Sequence, residues 1–190
     1  VYGSNPALPK HEDLATRPMS PYAASKLAAE ACLLAWGQSY DLPVLGFRFF
    51  NVYGPLQAAG HVYAAVVPRF VQAALAGQPL TIYGDGTQSR DFTFVGTLTA
   101  VVCDALVRKV TSPTPVNLAF GTRCSLLELI DELERIVGHP LPRQHEPDRR
   151  GDVKHSQADC SRLMALFPEV VPVPLAEGVR ATVDWMTSTG

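Results

Sequence analysis

Segments with helical spacing alternate with short apolar runs along this chain, and that alternation limits the folds open to it. Ser20 and Pro21 place a hydroxyl at an N-cap and a proline in a first turn, which predicts a helix over residues 22–40. Pro43 then precedes an apolar run over residues 44–50, which is typical of a strand buried on both faces. A helix followed so closely by a buried strand predicts a unit of a parallel α/β sheet.

The alternation continues as far as residue 138. We predict further helices over residues 63–76, 94–110 and 125–137, and strands over residues 80–83 and 116–120. Ser125 and Glu128 form a capping-box pattern at the start of the last of these helices, and Gly138 stops it. The proline-rich remainder predicts loops with short helices. Two or three core strands result, fewer than a doubly wound sheet normally has.

The composition argues against nucleic acid or an anionic membrane as a partner. The formal net charge is -2, and the 16 Lys and Arg residues are spread along the 190 residues. No apolar run approaches the ~18 residues of a membrane span. Small molecules are therefore the expected partners.

The cysteines are far apart and form no Cys-x-x-Cys pair, which argues against disulfides and zinc. We expect the two in predicted helices to be buried thiols, in a protein of the reducing cytoplasm. The four are Cys32, Cys103, Cys124 and Cys160.

Tyr22 and Lys26 lie four residues apart in the first predicted helix, so both project from one face. A free phenol titrates near pH ~10, but a neighbouring cation stabilises the phenolate and lowers that value. The pair can therefore work as an acid/base couple. A surface tyrosine beside a solvated lysine is the alternative interpretation of the same spacing.

Five strings follow one another in a fixed order, and together they identify a family. They are Val1-Tyr-Gly3, Ser20-Pro-Tyr-Ala-Ala-Ser-Lys26, Arg48-Phe-Phe-Asn51-Val-Tyr-Gly54-Pro55, Tyr83-Gly-Asp-Gly86 through Ser89-Arg-Asp-Phe92, and Arg149-Arg-Gly-Asp152. In sequence and spacing they resemble the extended short-chain dehydrogenases/reductases that act on nucleotide sugars, the NAD-dependent epimerases and dehydratases. The resemblance covers essentially the whole chain.

The resemblance implies roles for the residues in these strings. Tyr22 would be the catalytic acid/base, and Lys26 would bind the nicotinamide ribose and depress the pKa of Tyr22. Phe50 would touch the cofactor, although a core position on the strand is equally open. Asn51 would hydrogen-bond the diphosphate of the nucleotide sugar, with ordinary turn chemistry as its alternative.

Further substrate contacts follow from the resemblance. Arg90 and Arg149 match arginines that bind the diphosphate, for which a planar guanidinium is well suited. Asp152 matches a carboxylate that holds the nucleotide ribose. Val66 and Tyr83 match the uridine pocket, with core packing as the alternative interpretation. Ser156 matches a position that gates the sugar pocket.

The resemblance also implies the fold and its division. We expect an α/β protein with the C-terminal part of a Rossmann-type doubly wound parallel sheet and a smaller α/β substrate-binding domain. Residues 1–62 would end the dinucleotide-binding domain, and residues 63–190 would form mainly the substrate domain, with 116–138 returning to the Rossmann sheet. The NAD-binding Gly-rich turn and a catalytic Ser or Thr would precede Val1, because Gly84-x-Gly86 is no dinucleotide fingerprint. The sequence also begins without Met, so we expect the N-terminal half to be missing.

The strings around residues 63–69 and 89–92 look most like bacterial UDP-glucose and UDP-N-acetylglucosamine 4-epimerases. The resemblance implies NAD-dependent epimerisation at C4 of a UDP-sugar by the intact enzyme, with this chain alone inactive. Nucleotide-sugar 4,6-dehydration and decarboxylation remain alternatives. A second class of function is a non-catalytic remnant that binds nucleotide sugars or another subunit. A homodimer is expected through the first helix.

Overall fold

The computed structural model describes residues 1–58, 65–148 and 153–189. Six helices are found in these ranges: α1 (Pro21–Tyr40), α2 (Val66–Leu75), α3 (Val95–Arg108), α4 (Leu126–Val137), α5 (Ser161–Leu166) and α6 (Leu175–Thr189). The strands are β1 (Phe47–Phe49), β2 (Val52–Tyr53), β3 (Leu80–Tyr83), β4 (Ser89–Arg90), β5 (Thr93–Phe94), β6 (Val116–Leu118), β7 (Cys124–Ser125) and β8 (Arg143–Glu146).

The strands pair two by two, and three of the four pairs are parallel. β1 pairs with β6, β2 with β5 and β3 with β8 in parallel, whereas β4 and β7 are antiparallel. Parallel pairing follows from the helices that connect the strands, because each connection must cross back before the next strand starts. The molecule is therefore an α/β protein, as the alternation predicts.

Two large apolar clusters hold these elements. One joins β3 to α2, α4 and α6 and contains Phe70, Ile82, Ile130 and Val179 among its buried residues. The other packs α3 and α5 against β6 and includes Val101, Leu118 and Phe167, with Phe47 of β1 at its side. β1 and β6 thus belong to one body of packing, and α4 belongs to the other.

Helix ends follow their local signals closely. The Ser20 hydroxyl accepts a hydrogen bond from the Ala23 N–H, and Asp41 ends α1 in the left-handed region. The predicted capping box of α4 is present in both directions, from Ser125 to Glu128 and back, and Gly138 is the C-cap. These ends are confirmed because caps depend on a few adjacent residues.

Several predictions from the sequence were wrong. The residues of β8 were expected to form a loop. The C-terminal remainder was expected to contain short helices only, but α6 has 15 residues. Cys32 and Cys103 lie on helices but are exposed rather than buried. α2 begins at Val66, and residues 63 and 64 of the predicted helix lie outside the described residues.

Among the described residues, none of the helices combines the length and apolar character needed to cross a bilayer.

Candidate functional site

Four of the side chains predicted from the sequence surround one cavity of about 230 Å³, here called the arginine cavity. They are Asn51, Val66, Tyr83 and Arg90. The described lining contains two arginines, Arg69 and Arg90, and no carboxylate. A concave, partly apolar site with two guanidinium groups suits an anionic ligand.

The walls of the arginine cavity follow from helix and strand periodicity. On α2, Val66 and Arg69 are three residues apart and share one face. On β3, Thr81 and Tyr83 face the cavity, and the alternate residues Leu80 and Ile82 are fully buried in the core behind them. The core therefore fixes both walls.

Asn51 and Arg90 are held by the backbone of neighbouring segments. Asn51 follows β1 with a φ of 26°, and its side-chain N–H donates to the Asp91 carbonyl oxygen at 3.1 Å. Asparagine tolerates this left-handed region better than most residues. One guanidinium nitrogen of Arg90 donates to the carbonyl oxygens of Ser89 and Lys154, at 3.0 and 3.2 Å. Both side chains are thereby set in place at the cavity.

Asp91 anchors the strand segment that carries Arg90. Its carboxylate is fully buried and accepts hydrogen bonds from the Thr122 hydroxyl at 2.9 Å and the Ala158 N–H at 3.0 Å. Burial raises the pKa of Asp91, while these hydrogen bonds and those from the N–H groups of Phe120 and Gly121 lower it. The carboxylate thus ties three loops together behind the site.

Tyr22 and Lys26 lie in a second, open groove of about 430 Å³, here called the tyrosine groove. The Lys26 ammonium is 5.4 Å from the centroid of the Tyr22 ring, and the Tyr22 side chain is 71% exposed. Phe47, Arg48 and Phe49 of β1 line the same groove. Tyr22 and Lys26 are therefore in contact, and the Tyr22 side chain is open to solvent.

The tyrosine groove and the arginine cavity are both lined by residues at the carboxyl end of β1. Phe49, the last residue of the strand, lines the groove, and Asn51, two residues later, lines the cavity. Carboxyl ends of parallel strands are the usual place for ligands in α/β proteins. One extended ligand can span both sites from this point.

The structure does not bring every predicted residue to these sites. Phe50 is buried against Tyr2, with ring centroids 6.1 Å apart, and lines neither the groove nor the cavity. Ser156 is half-buried and its N–H donates to the Ser89 carbonyl oxygen at 3.0 Å, which places it beside β4. The predictions for Arg149 and Asp152 lie outside the described residues.

Several other lining residues were given no role from the sequence, among them Arg69, Thr81, Gln88 and Phe92. The Gln88 side-chain N–H donates to the Tyr83 carbonyl oxygen at 2.6 Å and so links two walls. Arg69 and Thr81 can be found from sequence periodicity, because each lies on the same helix or strand face as a predicted residue. Gln88 lies in a turn, where periodicity carries no such information.

Comparisons with known proteins relate this chain to one family. Residues 1–119 match the model of the NAD dependent epimerase/dehydratase family. The chain is 38% identical over 188 residues to a UDP-glucose 4-epimerase of Mycolicibacterium smegmatis, covering 97% of this chain and 58% of that protein.

Solved structures give the same result. The chain superposes on a UDP-N-acetylglucosamine 4-epimerase of Methanobrevibacter ruminantium, solved in complex with UDP-N-acetylmuramic acid, with a TM-score of 0.94 and 35% identity, over 100% of this chain and 61% of the other. The chain also superposes on an NAD-dependent NDP-hexosamine 5,6-dehydratase of tunicamycin biosynthesis, with a TM-score of 0.87 and 31% identity, over 100% of this chain and 61% of the other.

The chain thus spans about three-fifths of the length of the relatives it matches. The expected α/β fold of Rossmann-type epimerases is confirmed by the superpositions. With a family match over more than half of its residues, the chain belongs to the NAD dependent epimerase/dehydratase family.

Proposed function

We propose that this chain carries the acid/base couple and the nucleotide-sugar ligands of an enzyme that epimerises a UDP-sugar at C4 with NAD. The substrate is UDP-glucose or UDP-N-acetylglucosamine, and the enzyme is a cytoplasmic homodimer. The observation that carries the proposal is the end of β1, where residues two apart line a groove with an exposed phenol and its lysine and a cavity with two guanidinium groups.

In the proposed reaction, Tyr22 and Lys26 handle the proton. NAD, when bound, would supply the acceptor and donor for the C4 hydride. The Tyr22 phenolate removes the 4-hydroxyl proton as the C4–H bond breaks, which leaves a 4-keto sugar. After this sugar rotates, the Tyr22 phenol returns the proton to the 4-oxygen, and Lys26 stabilises the phenolate that is present before the first transfer and re-formed by the second.

The residues present fit one part of a dinucleotide. The open tyrosine groove offers Lys26 to the nicotinamide ribose, and the exposed Phe49 gives it an apolar wall. These 190 residues contain no Gly-rich turn at a helix start to hold the pyrophosphate. We therefore expect this chain by itself to retain no NAD and to turn over no substrate.

In the arginine cavity we assign the diphosphate to Asn51 and Arg90, joined by Arg149, and the uridine to Val66 and Tyr83. Asp152 would hold the ribose. Phe50 stays a prediction as a cofactor contact. The exposure of Leu33 and Trp36 on α1 supports that helix as the dimer contact.

We also propose the division into residues 1–62 and 63–190, with 116–138 returning to the Rossmann sheet. The pairing of β6 with β1 supports the return of residues 116–118. α4, in contrast, packs with α2 and α6.

A chimera tests the proposed function. The part of the Mycolicibacterium smegmatis epimerase that this chain does not match is fused to these 190 residues, and UDP-galactose formation from UDP-glucose is measured. We expect turnover by the chimera and none by the chain alone. Tyr22→Phe should lower kcat by about 10²–10⁴-fold, as expected for loss of a general acid/base. Tyr40→Phe is the matched control, because Tyr40 lies on the same helix and both tyrosines are 71% exposed.

Two results would contradict the proposal. Turnover by the chain alone would show that no additional segment is required. Equal activity of Tyr22→Phe and Tyr40→Phe would remove Tyr22 from the reaction.

A nucleotide-sugar dehydratase is the second candidate, because the dehydratase structure resembles this chain almost as closely as the epimerase does. Loss of water from the sugar, detected as a mass decrease of the product, would favour it. Tight binding of UDP-sugar by an inactive chimera would instead favour a non-catalytic binding protein.

Ser156 determines the size of the sugar in this proposal. Its N–H pairs with the Ser89 carbonyl oxygen of β4, and a side chain as small as that of serine at a gating position would admit an N-acetyl group. In the active chimera, Ser156→Tyr should abolish turnover of UDP-N-acetylglucosamine and spare UDP-glucose. An unchanged rate with UDP-N-acetylglucosamine would refute the assignment.

A further inference from the structure

α1 carries Tyr22 and Lys26 but has little buried surface to hold it. Within the described residues, Gly37 is the one fully buried position of its 20 residues. Gly37 contacts Val44 close to the C-terminal end of the helix, far from Tyr22. Another contact must fix the half of α1 that bears the acid/base couple.

The ion pair between Glu30 and Arg48 provides that contact. The Glu30 carboxylate accepts two hydrogen bonds from the Arg48 guanidinium, at 2.8 and 2.7 Å. Their side chains are only 13% and 8% exposed. A bidentate pair of this kind fixes orientation as well as distance, because the guanidinium is planar.

Glu30 also shares a face with the acid/base couple. It follows Lys26 by four residues and Tyr22 by eight, and all three line the tyrosine groove. Any shift of Glu30 across β1 therefore moves Tyr22 and Lys26 in the same direction.

Arg48 itself makes two further contacts. One guanidinium nitrogen donates to the Glu12 carbonyl oxygen at 3.1 Å, and the guanidinium lies 4.8 Å from the centroid of the Tyr2 ring. The Tyr2 hydroxyl in turn donates to the Asn117 side-chain oxygen of β6 at 2.6 Å. Arg48 therefore couples the position of α1 to that of the β1–β6 pair.

Arg48 also lies three residues before Asn51 on the same chain segment. We infer that Glu30 and Arg48 are positioning residues, which set the acid/base couple of α1 at a fixed place relative to the nucleotide-sugar ligands at the end of β1. This inference rests on the proposed function for its catalytic meaning. The structural part, the fixing of α1 on β1, stands independently of the reaction.

The position of α1 can be measured on the chain itself. Cys32 on α1 and Cys103 on α3 are both exposed, and nitroxide labels on them report the α1–α3 distance by pulsed electron paramagnetic resonance. We expect Glu30→Gln and Arg48→Lys to shift or broaden this distance by about 2 Å or more. Glu132→Gln is the matched control, because Glu132 is 14% exposed and is paired with Arg135 on α4, away from α1.

A binding readout separates positioning from mere stability. The sugar of a UDP-sugar reaches Tyr22, whereas UDP alone does not, so the ratio of their dissociation constants measures the sugar contact. For Glu30→Gln this ratio should fall to about 1, with the affinity for UDP unchanged. If Arg48→Lys fails to fold, the neutral pair Glu30→Gln with Arg48→Gln replaces it, since no unpaired charge is then buried.

An unchanged distance in Glu30→Gln would overturn the inference, as would a loss of UDP and UDP-sugar affinity in equal proportion. If the unmodified chain bound no UDP, the proposed function would fail, while the distance measurement would still decide the fixing of α1.

Discussion

Asp91 shows how one buried residue supports the candidate site. Asp91→Asn keeps the shape of the side chain but replaces one acceptor oxygen by an NH₂ group, which then faces the Thr122 hydroxyl or the Ala158 N–H. We expect the free energy of unfolding to fall by about 1–3 kcal/mol, the cost of an unsatisfied buried polar group. Urea denaturation measures it, with Asp104→Asn on the exposed surface of α3 as the control. Equal effects of the two substitutions would contradict the role given to Asp91.

The four thiols should differ in reactivity by position. Burial, helped by the charges of Glu128 and Glu132, raises the pKa of Cys124 to about 12, so very little thiolate exists near neutral pH. Iodoacetamide at pH 8 should modify Cys32 and Cys103 first and Cys124 much more slowly, as followed by mass spectrometry. Cys124 should begin to react rapidly only as the pH approaches its pKa. Fast modification of Cys124 at pH 8 would show that the β7 segment opens readily.

Single residues were identified from the sequence chiefly where they belonged to a recognisable string. Tyr22, Lys26, Asn51 and Arg90 were found in this way, and the structure places the first two in the tyrosine groove and the other two in the arginine cavity. Arg48 belongs to the same strings but was given no role, because its value depends on a contact with Glu30, 18 residues away. Contacts of that kind require the fold.

At the scale of elements, the close approach of α1 to β1 makes a glycine necessary. Gly37 lies in the interior of α1, where Ala normally stabilises a helix by about 1 kcal/mol. A Cβ at this position would come within 2.4 Å of a Val44 methyl carbon, which forces the helix away from the chain leading into β1. We expect Gly37→Ala to lower the free energy of unfolding by about 1–3 kcal/mol. Gln38→Ala, one residue along on the exposed side, should have no such cost in thermal or urea denaturation, and a stabilising Gly37→Ala would disprove the steric argument.

The elements that sequence predicted well have local signals, and those it missed do not. The capping box at Ser125 and the stop at Gly138 act within one turn, so α4 was placed correctly. β8 contains Arg143, Gln144, His145 and Glu146, and such polar residues give no apolar period; the strand exists because it pairs with β3. α6 follows Pro168, Pro172 and Pro174, which favour loop up to the residue where the helix begins. Exposure of Cys32 and Cys103 depends on which faces neighbouring elements cover.

For the whole molecule, the decisive feature is that packing on two sides converges on one strand end. β1 is held by the apolar cluster around β6 and by the ion pair and hydrogen bonds of Arg48. The apolar cluster around β3 supports the wall of the arginine cavity that α2 and β3 form. The short path from Phe49 to Asn51 joins them. A ligand bound across this junction contacts both bodies of packing and should stabilise the entire fold by mass action.

Charge within the arginine cavity gives a test of that ligand on the chain itself. UDP should raise the melting temperature of the chain more than uridine does, because only UDP brings phosphate to Arg69 and Arg90. Arg69→Gln should weaken UDP binding about tenfold, the equivalent of one charge-assisted hydrogen bond, and leave uridine binding unchanged. Arg135→Gln removes an exposed arginine of α4 and should alter the affinity for neither ligand.

Isothermal titration calorimetry at low and high salt checks both points, since added salt should weaken the binding of UDP and not that of uridine. If Arg69→Gln weakened uridine as much as UDP, the cavity would recognise the base through Arg69, and Asn51 and Arg90 would hold the diphosphate without it.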